Sequence, residues 1–415
     1  MCSREISEKL SRDEIQVFLR ICVLLYADDT IVMAESPEEL QMAIDKVKEY
    51  CDTWKLQINV TKTKVVIFSR GKVRNFPNFK YGDESIEVVS DYVYLGTTFN
   101  YNGKMNKAMK KQVTQARRAL FSMLVKCKKL ELPIDINCEL FDSLIVPILT
   151  YGCELWGYSS LDIMESFHRK FLKSQLHVNT RTANCIVYGE LGRFKLEIHI
   201  FRRMIGFWLK IIKSKESKLS NIFYRLLRKL YEENEYKSCW IHKIKNILDS
   251  CGMSNVWENP ENFNPTWIAT SVEMKLKDMG RQMWHAEIER NVLCINYRLF
   301  KTEHNFEKYI LELDVQNIIP LCRFRSGCHR LPVATERYNS QENHHSCTLC
   351  NSNDIGDEYH YVLICSVIKE AREKFIKPYY YQRPSTLKMK QLFNSNSIKE
   401  LVNLAKYVKY IMSLF

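Results

Sequence analysis

At 415 residues the chain is too long for one simple core, and its length points to two or three domains. A hydrophobic content of 46% with 12% aromatic residues excludes wholesale disorder, and a net charge of +13 favours a polyanionic partner. The opening MCSREISEKLSRDEI holds no apolar signal core, and Arg20, Asp28 and Asp29 interrupt the longest apolar run, so neither secretion nor a membrane span is expected.

In chain order, CVLLY and TIVMA read as two strands joined across Asp28 and Asp29. Ser36 then offers an N-cap, Pro37 the first helical position and Glu39 the far end of a capping box. Leu40, Ile44, Val47 and Cys51 recur at helical spacing, which predicts a helix over 37–52. Trp54, Leu56 and Ile58 alternate with polar residues as a strand would, and a polar NVTKTK turn leads into a strand at VVIF. Past a loop with Gly71 and Pro77, IEVV and DYVYLGTTF read as further short strands. Residues 15–100 are therefore a small α+β unit.

From Lys104 the chain changes character. Residues 104–129 hold nine Lys or Arg, at 104, 107, 110, 111, 117, 118, 126, 128 and 129, and no acid. Met105, Met109, Val113, Ala116, Leu120 and Leu124 form a helical stripe, so the run is a basic amphipathic helix. A solvated charged face is the simple reading of it, and a phosphate-binding face the functional one. Phe121 and Trp156 are expected in the core. Helical runs follow at 137–151, 161–176 and, more loosely, 191–320, and the tail 366–415 is helical apart from PYYYQRPST. The class is α+β, mostly α.

Two places could carry chemistry. Paired carboxylates between apolar strands would cost several kcal/mol if buried without partners. They are either a solvated turn or ligands for a hard cation such as Mg²⁺. A two-residue hairpin turn prefers Asn-Gly or Asp-Gly, and Asp-Asp lacks that advantage. The second place is CTLCNSNDIGDEYHYVLIC. Cys347 and Cys350 form a C-x2-C pair, nine residues intervene before His360, and four more before Cys365. Four such ligands suit a closed structural Zn²⁺ site, with His360 and Cys365 coming from the start of a helix. The alternative is buried thiols beside a surface histidine. His344 and His345 are off-spacing substitutes, and Cys322, Cys328 and His329 offer no clean ligand pairing for a second site. Most other cysteines sit singly in apolar surroundings such as ILTYGCELWG, which points to an intracellular protein of nucleus or cytoplasm.

YADD at 26–29, flanked by apolar strands, resembles the catalytic hairpin of reverse transcriptases. The capped helix 37–52 and WKLQINVTKTKVVIF resemble the following palm helix and strand of non-LTR (LINE-type) retrotransposon polymerases. DYVYLGTTF is similar to their primer grip, TYGCELWGYSS and CIVYGELGRF to stretches in the thumb and beyond, and FRSGCHRLPVATERY with the knuckle to their C-terminal region. The resemblance implies template-directed dNTP addition to a primer 3′-hydroxyl by two Mg²⁺ ions, with an RNA template and DNA primer, or their hybrid, as partners. Asp28 would be a metal ligand and Asp29 its less direct partner. Tyr26 and Ala27 would lie against the primer end, with Tyr94, Leu95 and Gly96 in the primer grip. Either Lys62 or Lys64 would approach the triphosphate. Lys104, Lys107, Lys110, Lys111, Arg117 and Arg118 would follow the duplex backbone, and the CCHC zinc knuckle would bind nucleic acid.

The implied layout is a partial palm over 1–102, a helical thumb over 103–190, a helical middle over 191–320, the knuckle region over 321–366 and a helical tail over 367–415. The family's first catalytic carboxylate lies well upstream of YADD. Here 25 residues precede Tyr26, and Glu5, Glu8, Asp13 and Glu14 among them stand in no apolar strand context. The expectation is the C-terminal part of a polymerase that is inactive alone. A non-catalytic nucleic-acid-binding remnant is the alternative.

Overall fold

The structure, a computed structural model, describes residues 23–69, 71, 77–233, 240–335, 346–350 and 352–415. Glu5, Glu8, Asp13, Glu14, His344 and His345 lie outside the described residues. The chain divides into two compact units, Met1–Gln112 with Tyr151–Ser159 and Met204–Pro265, and Val113–Thr150 with Ser160–Arg203 and Thr266–Phe415. Helix dominates, with short strands confined, among the described residues, to the first unit.

The first unit opens with the hairpin β1 (Val23–Tyr26) and β2 (Asp29–Val32), paired from Val23 opposite Val32 to Tyr26 opposite Asp29. Helix α1 (Pro37–Trp54) follows, capped as its sequence predicts: the Ser36 side chain accepts from the Glu39 backbone N–H, and Pro37 takes the first turn. Strands β3 (Lys64–Val65), β4 (Phe79–Tyr81) and β5 (Glu84–Val88) form a sheet of order β3-β5-β4, parallel in its first pair and antiparallel in its second. Ile44 of α1 packs on Val65, Phe79 and Ile86 to make the core here. A second hairpin, β6 (Asp91–Tyr94) and β7 (Thr97–Asn100), completes the strands.

Two expectations change. Trp54 ends α1 and Leu56 and Ile58 lie in no strand, because Lys55 turns left-handed at φ 55 and the Leu56 N–H returns to the Cys51 carbonyl, closing the helix. The VVIF strand shrinks to Lys64–Val65, and the strands fall into three separate small sheets among the described residues. The other elements of this unit among the described residues are helices. Trp208 stacks on Trp257 at 6.0 Å, and Arg228 lies 5.0 Å over the Trp257 ring.

Helix α2 (Asn106–Lys129) is the basic helix. The run predicted at 137–151 is helical over 134–149 with a π turn at Phe141–Ile145. Pro147 explains the turn, since it has no N–H and its ring crowds the carbonyl four residues back. In the second unit, α3 (Asp162–Gln175), α4 (Asn184–Glu190), α5 (Pro265–Arg290), α6 (Val315–Arg325) and α7 (Ile398–Ser413) supply the frame. Ala183, Cys185, Ile186, Trp284, Ile288, Cys294 and Tyr297 form one core cluster, and the Trp284 indole N–H donates to the Cys185 carbonyl at 2.8 Å.

Candidate functional site

The first hairpin turns on Ala27-Asp28, not on the two acids, because Tyr26 pairs with Asp29. Ala27 alone of the two turn residues goes left-handed, at φ 52. A two-residue turn of this kind favours Gly there, and a Cβ costs about 1–2 kcal/mol. Asp28 caps the turn and Asp29 starts β2, both exposed to water. The burial cost that would demand a cation is therefore not incurred. Leu25 and Tyr26 are 73% and 62% exposed, so an apolar pair stands uncovered beside the acids among the described residues. No third ligand group joins Asp28 and Asp29 among those residues.

Lys64 is committed to an ion pair with Glu87 across β3 and β5, 2.7 Å apart. Lys62 lies exposed in a turn, where its backbone N–H donates to the Asn59 carbonyl and side-chain oxygens at 3.1 Å.

Leu95 and Gly96 form a turn with both residues left-handed, at φ 45 and φ 78. TYGCELWG clasps it. The Tyr151 hydroxyl donates to the Leu95 carbonyl at 2.9 Å, and a Cβ on Gly96 would sit 3.1 Å from the Tyr151 ring. A Cβ on Gly152, at φ 71, would likewise sit 3.3 Å from the Thr97 hydroxyl. Two stretches singled out separately in the sequence thus meet.

Helix α2 buries Ala108, Met109, Gln112, Val113, Ala116, Met123 and Cys127. Lys104 just before it and Lys107, Lys110, Arg117 and Arg118 on it are exposed, Lys111 is half-buried, and Lys107 pairs with Asp91 at 2.6 Å. That ion pair holds the Asp91 carboxyl below its ordinary range. Trp156 is buried as expected, whereas Phe121 is 72% exposed. Phe121 stands one position off the apolar stripe, on the cationic side next to Arg117 and Arg118.

The ligand atoms of Cys347, Cys350, His360 and Cys365 all lie within 4.8 Å of one another. A short ribbon makes the knuckle: Ser346 bridges Ile355, the Cys347 N–H donates to the Asp354 carbonyl at 2.8 Å, and the N–H groups of Leu349 and Cys350 point at Cys347 Sγ at 3.4 Å. His360 begins a π turn, His360–Ile364, and Cys365 lies just past its end rather than in the start of a helix.

The donor set fits zinc. Tetrahedral bonds of Zn²⁺ to sulfur and nitrogen give S···S edges of about 3.8 Å and S···N edges of about 3.5 Å. Cys347 Sγ and Cys365 Sγ are 3.9 Å apart, and Cys350 Sγ and His360 Nε2 are 3.4 Å apart. Sulfurs in a disulfide would stand about 2 Å apart.

The thiols are tuned unequally. Burial works to raise the Cys350 thiol, yet hydrogen bonds with Ser352, Cys347 and His360 bring it down to about 6. Burial pushes Cys365 up to about 12.

Sequence reasoning missed what supports this cluster. Buried Arg372 donates to the carbonyls of Val362 at 3.0 Å and Cys365 at 2.5 Å, closing the end of the turn. Glu358, two residues before His360, is buried and bonds His329 Nε2 at 2.9 Å and the Asn296 amide. Burial would raise the Glu358 carboxyl, but His329 and Asn296 hold it low. Cys322, Cys328 and His329 do not converge. Cys322 is buried beside Tyr309, Cys328 Sγ accepts the Asn179 N–H at 3.3 Å, and His329 is committed to Glu358.

Also unforeseen is a buried ionic cluster joining CIVYGELGRF to FRSGCHRLPVATERY. The Arg325 guanidinium bonds Glu190 at 3.0 Å and Glu307 at 3.1 Å, and Lys301 Nζ bonds Glu307 at 2.5 Å. Two cations balance two anions, with the Tyr309 hydroxyl donating to Glu190. It ties distant parts of the second unit to one another, with one guanidinium nitrogen of Arg325, Nη1, left buried without a hydrogen-bond partner.

Residues 2–99 match the family of reverse transcriptases (RNA-dependent DNA polymerases). The chain is also 28% identical, over 143 residues, to a transposon-derived protein of Caenorhabditis elegans, a match covering 33% of this chain and 49% of that relative. It thus spans about half the length of the curated relative it matches. YADD lies on a tight hairpin inside this segment, residues 2–99, which is similar to reverse transcriptases.

Proposed function

We propose that this chain is the C-terminal part of a non-LTR (LINE-type) retrotransposon RNA-directed DNA polymerase, holding a primer–template while contributing only part of the catalytic site. The observation that carries this reading is the strained Ala27-Asp28 turn within the family-matched residues, presenting two solvated carboxylates. Asp28 and Asp29 supply hard oxygen donors of the kind Mg²⁺ takes. Two neighbours on one turn do not make the converging set that two ions need. The acids are therefore one side of a site, and the isolated chain is expected not to polymerise. Tyr26 and Ala27 would face the primer end, and the clasped turn at Tyr94, Leu95 and Gly96 would steady the primer strand. With Lys64 held by Glu87, Lys62 is the better placed lysine for a triphosphate.

In this reading residues 1–102 are palm, 103–190 thumb, 191–320 a helical middle, 321–366 the knuckle region and 367–415 the tail. The exposed cations at 104, 107, 110, 117 and 118, with half-buried Lys111, would follow the phosphates of an RNA–DNA hybrid. Zinc at Cys347, Cys350, His360 and Cys365 would supply a fixed tetrahedral node rather than an open catalytic position. A non-catalytic nucleic-acid-binding protein is the second reading, favoured by the completeness of the Cys/His cluster beside the incompleteness of the acidic one.

The binding half is tested by fluorescence anisotropy with a labelled RNA–DNA hybrid across a salt series. The wild type is expected to bind, with affinity falling steeply as salt rises. Replacing Lys110, Arg117 and Arg118 by Glu should weaken binding by roughly ten-fold or more at low salt. No binding by the wild type, or no change in that variant, would overturn the assignment.

A further inference from the structure

A cleft of about 270 Å³ lies in the second unit between the Asn179–Ala183 loop and the turn Ser326–Arg330, with Leu293 and Ala334 completing its walls. Its charged character is one-sided. Arg181 and Arg330 stand exposed at its rim, and no carboxylate pairs with either guanidinium among the described residues. Of the titratable groups deeper in the wall, His329 is engaged by Glu358 and Cys328 Sγ accepts the Asn179 N–H. The walls themselves mix Ala183, Leu293 and Ala334 with the Thr182 and Ser326 hydroxyls.

The cleft is preformed. The Asn179 N–H is tied to Cys328 Sγ at 3.3 Å, bridging its two sides, and the Arg181 N–H is tied to Asn179 Oδ1 at 3.0 Å. Arg323 donates to the His177 carbonyl at 2.9 Å, which fixes the loop against the end of α6. On the other side the Val333 N–H reaches the Gly356 carbonyl at 3.4 Å, where a Cβ on Gly356 would crowd Pro332 and Cys347. The wall is thereby anchored to the Cys/His knuckle. A site held this way gives up little freedom on binding.

Two fork-shaped cations over a small, partly apolar cleft suit a ligand that is anionic outside and flat and neutral inside. A duplex presents no such group without opening, whereas a single strand offers unstacked bases beside its phosphates. We propose that this cleft takes one unpaired nucleotide of a single-stranded nucleic acid, its phosphate on Arg181 and Arg330 and its base between Ala183, Leu293 and Ala334. The inference rests on the nucleic-acid reading above and adds a single-strand subsite to it.

The test is anisotropy on the full chain with labelled homopolymers of U and of dT, a blunt DNA duplex and the RNA–DNA hybrid. Arg181→Ala with Arg330→Ala should weaken single-strand binding by roughly ten-fold and lower the salt slope by about 0.7, the loss of the one phosphate contact that the two share. Duplex and hybrid binding should stay unchanged. Ala334→Trp, which fills the cleft but leaves the charges, should weaken single-strand binding with the slope intact. Zinc content and thermal midpoint report whether each variant is folded. A preference for U over dT, or the reverse, identifies the natural strand, and either supports the site.

Unchanged single-strand binding in both variants, an equal loss on duplex, or equal competition by poly-glutamate would overturn the cleft assignment and leave the hybrid-binding reading standing. A wild type that binds neither hybrid nor single strand overturns both.

Discussion

Glu190 lies fully buried against Arg325, in reach of Tyr309 and close to Lys301. Burial alone would raise its carboxyl, but the Arg325 and Lys301 charges hold it below the ordinary range. A carboxyl lowered in the folded state contributes stability that is complete above its ordinary value, about 4.3, and is lost as pH falls through the folded one. Glu190→Gln should therefore destabilise the chain at neutral pH by about 3–5 kcal/mol, since Arg325 is left buried beside a neutral group. It should also flatten the loss of stability below about pH 4. Urea unfolding at stepped pH measures both, and adding Arg325→Met should recover part of the loss.

At the cysteines, Cys347→Ser or Cys350→Ser is expected to abolish retention of one zinc per chain, read by metal analysis of the purified protein. A wild type without zinc would remove the metal reading. The contrast between these two features explains what the sequence displays. Cys347, Cys350, His360 and Cys365 lie within one short stretch whose spacing sets the knuckle. Glu190 and Arg325 are 135 positions apart, and no local pattern marks a buried pair. Arg372 was hidden for the same reason, because its partners are backbone carbonyls. Phe121 was a misreading of another kind, since the stripe through Leu120 and Leu124 already placed it off the buried face.

Among the elements, the β6–β7 hairpin closes on Leu95 at φ 45, a conformation that costs an ordinary side chain about 1 kcal/mol. Leu95→Asn supplies the residue that such a turn prefers before glycine and should raise stability by about 0.5–1 kcal/mol, seen as a higher thermal midpoint. Gly96→Ala should act oppositely, being left-handed and crowded by Tyr151. The hairpins, the capped α1 and the stripe of α2 were legible because each has a local cause: alternation, a Ser-Pro start, a helical period. The closing of α1 at Lys55 was not, because no glycine announces it and the alternation of Trp54, Leu56 and Ile58 mimics a strand. The π turn at Phe141–Ile145 likewise follows from Pro147, which sequence reasoning passed over.

On the scale of the whole molecule, a basic chain carries, among the described residues, one Cys/His cluster of metal-type ligands and one exposed acidic pair. The Cys/His set is closed, braced by Arg372 and by the Glu358–His329 pair. The acidic set is open to water on a hairpin whose apolar residues are uncovered among the described residues. No described helix is long and apolar enough to cross a membrane. The order of motifs along the chain carried the resemblance, and the geometry adds that Asp28 and Asp29 stand without a third carboxylate among the described residues. Primer extension tests this most directly. The isolated chain would be given an RNA template, an annealed DNA primer, dNTPs and Mg²⁺, with Asp28→Ala as control. The chain should bind the hybrid but extend no primer beyond the Asp28→Ala background. Sustained incorporation by the wild type, abolished in that variant, would contradict it.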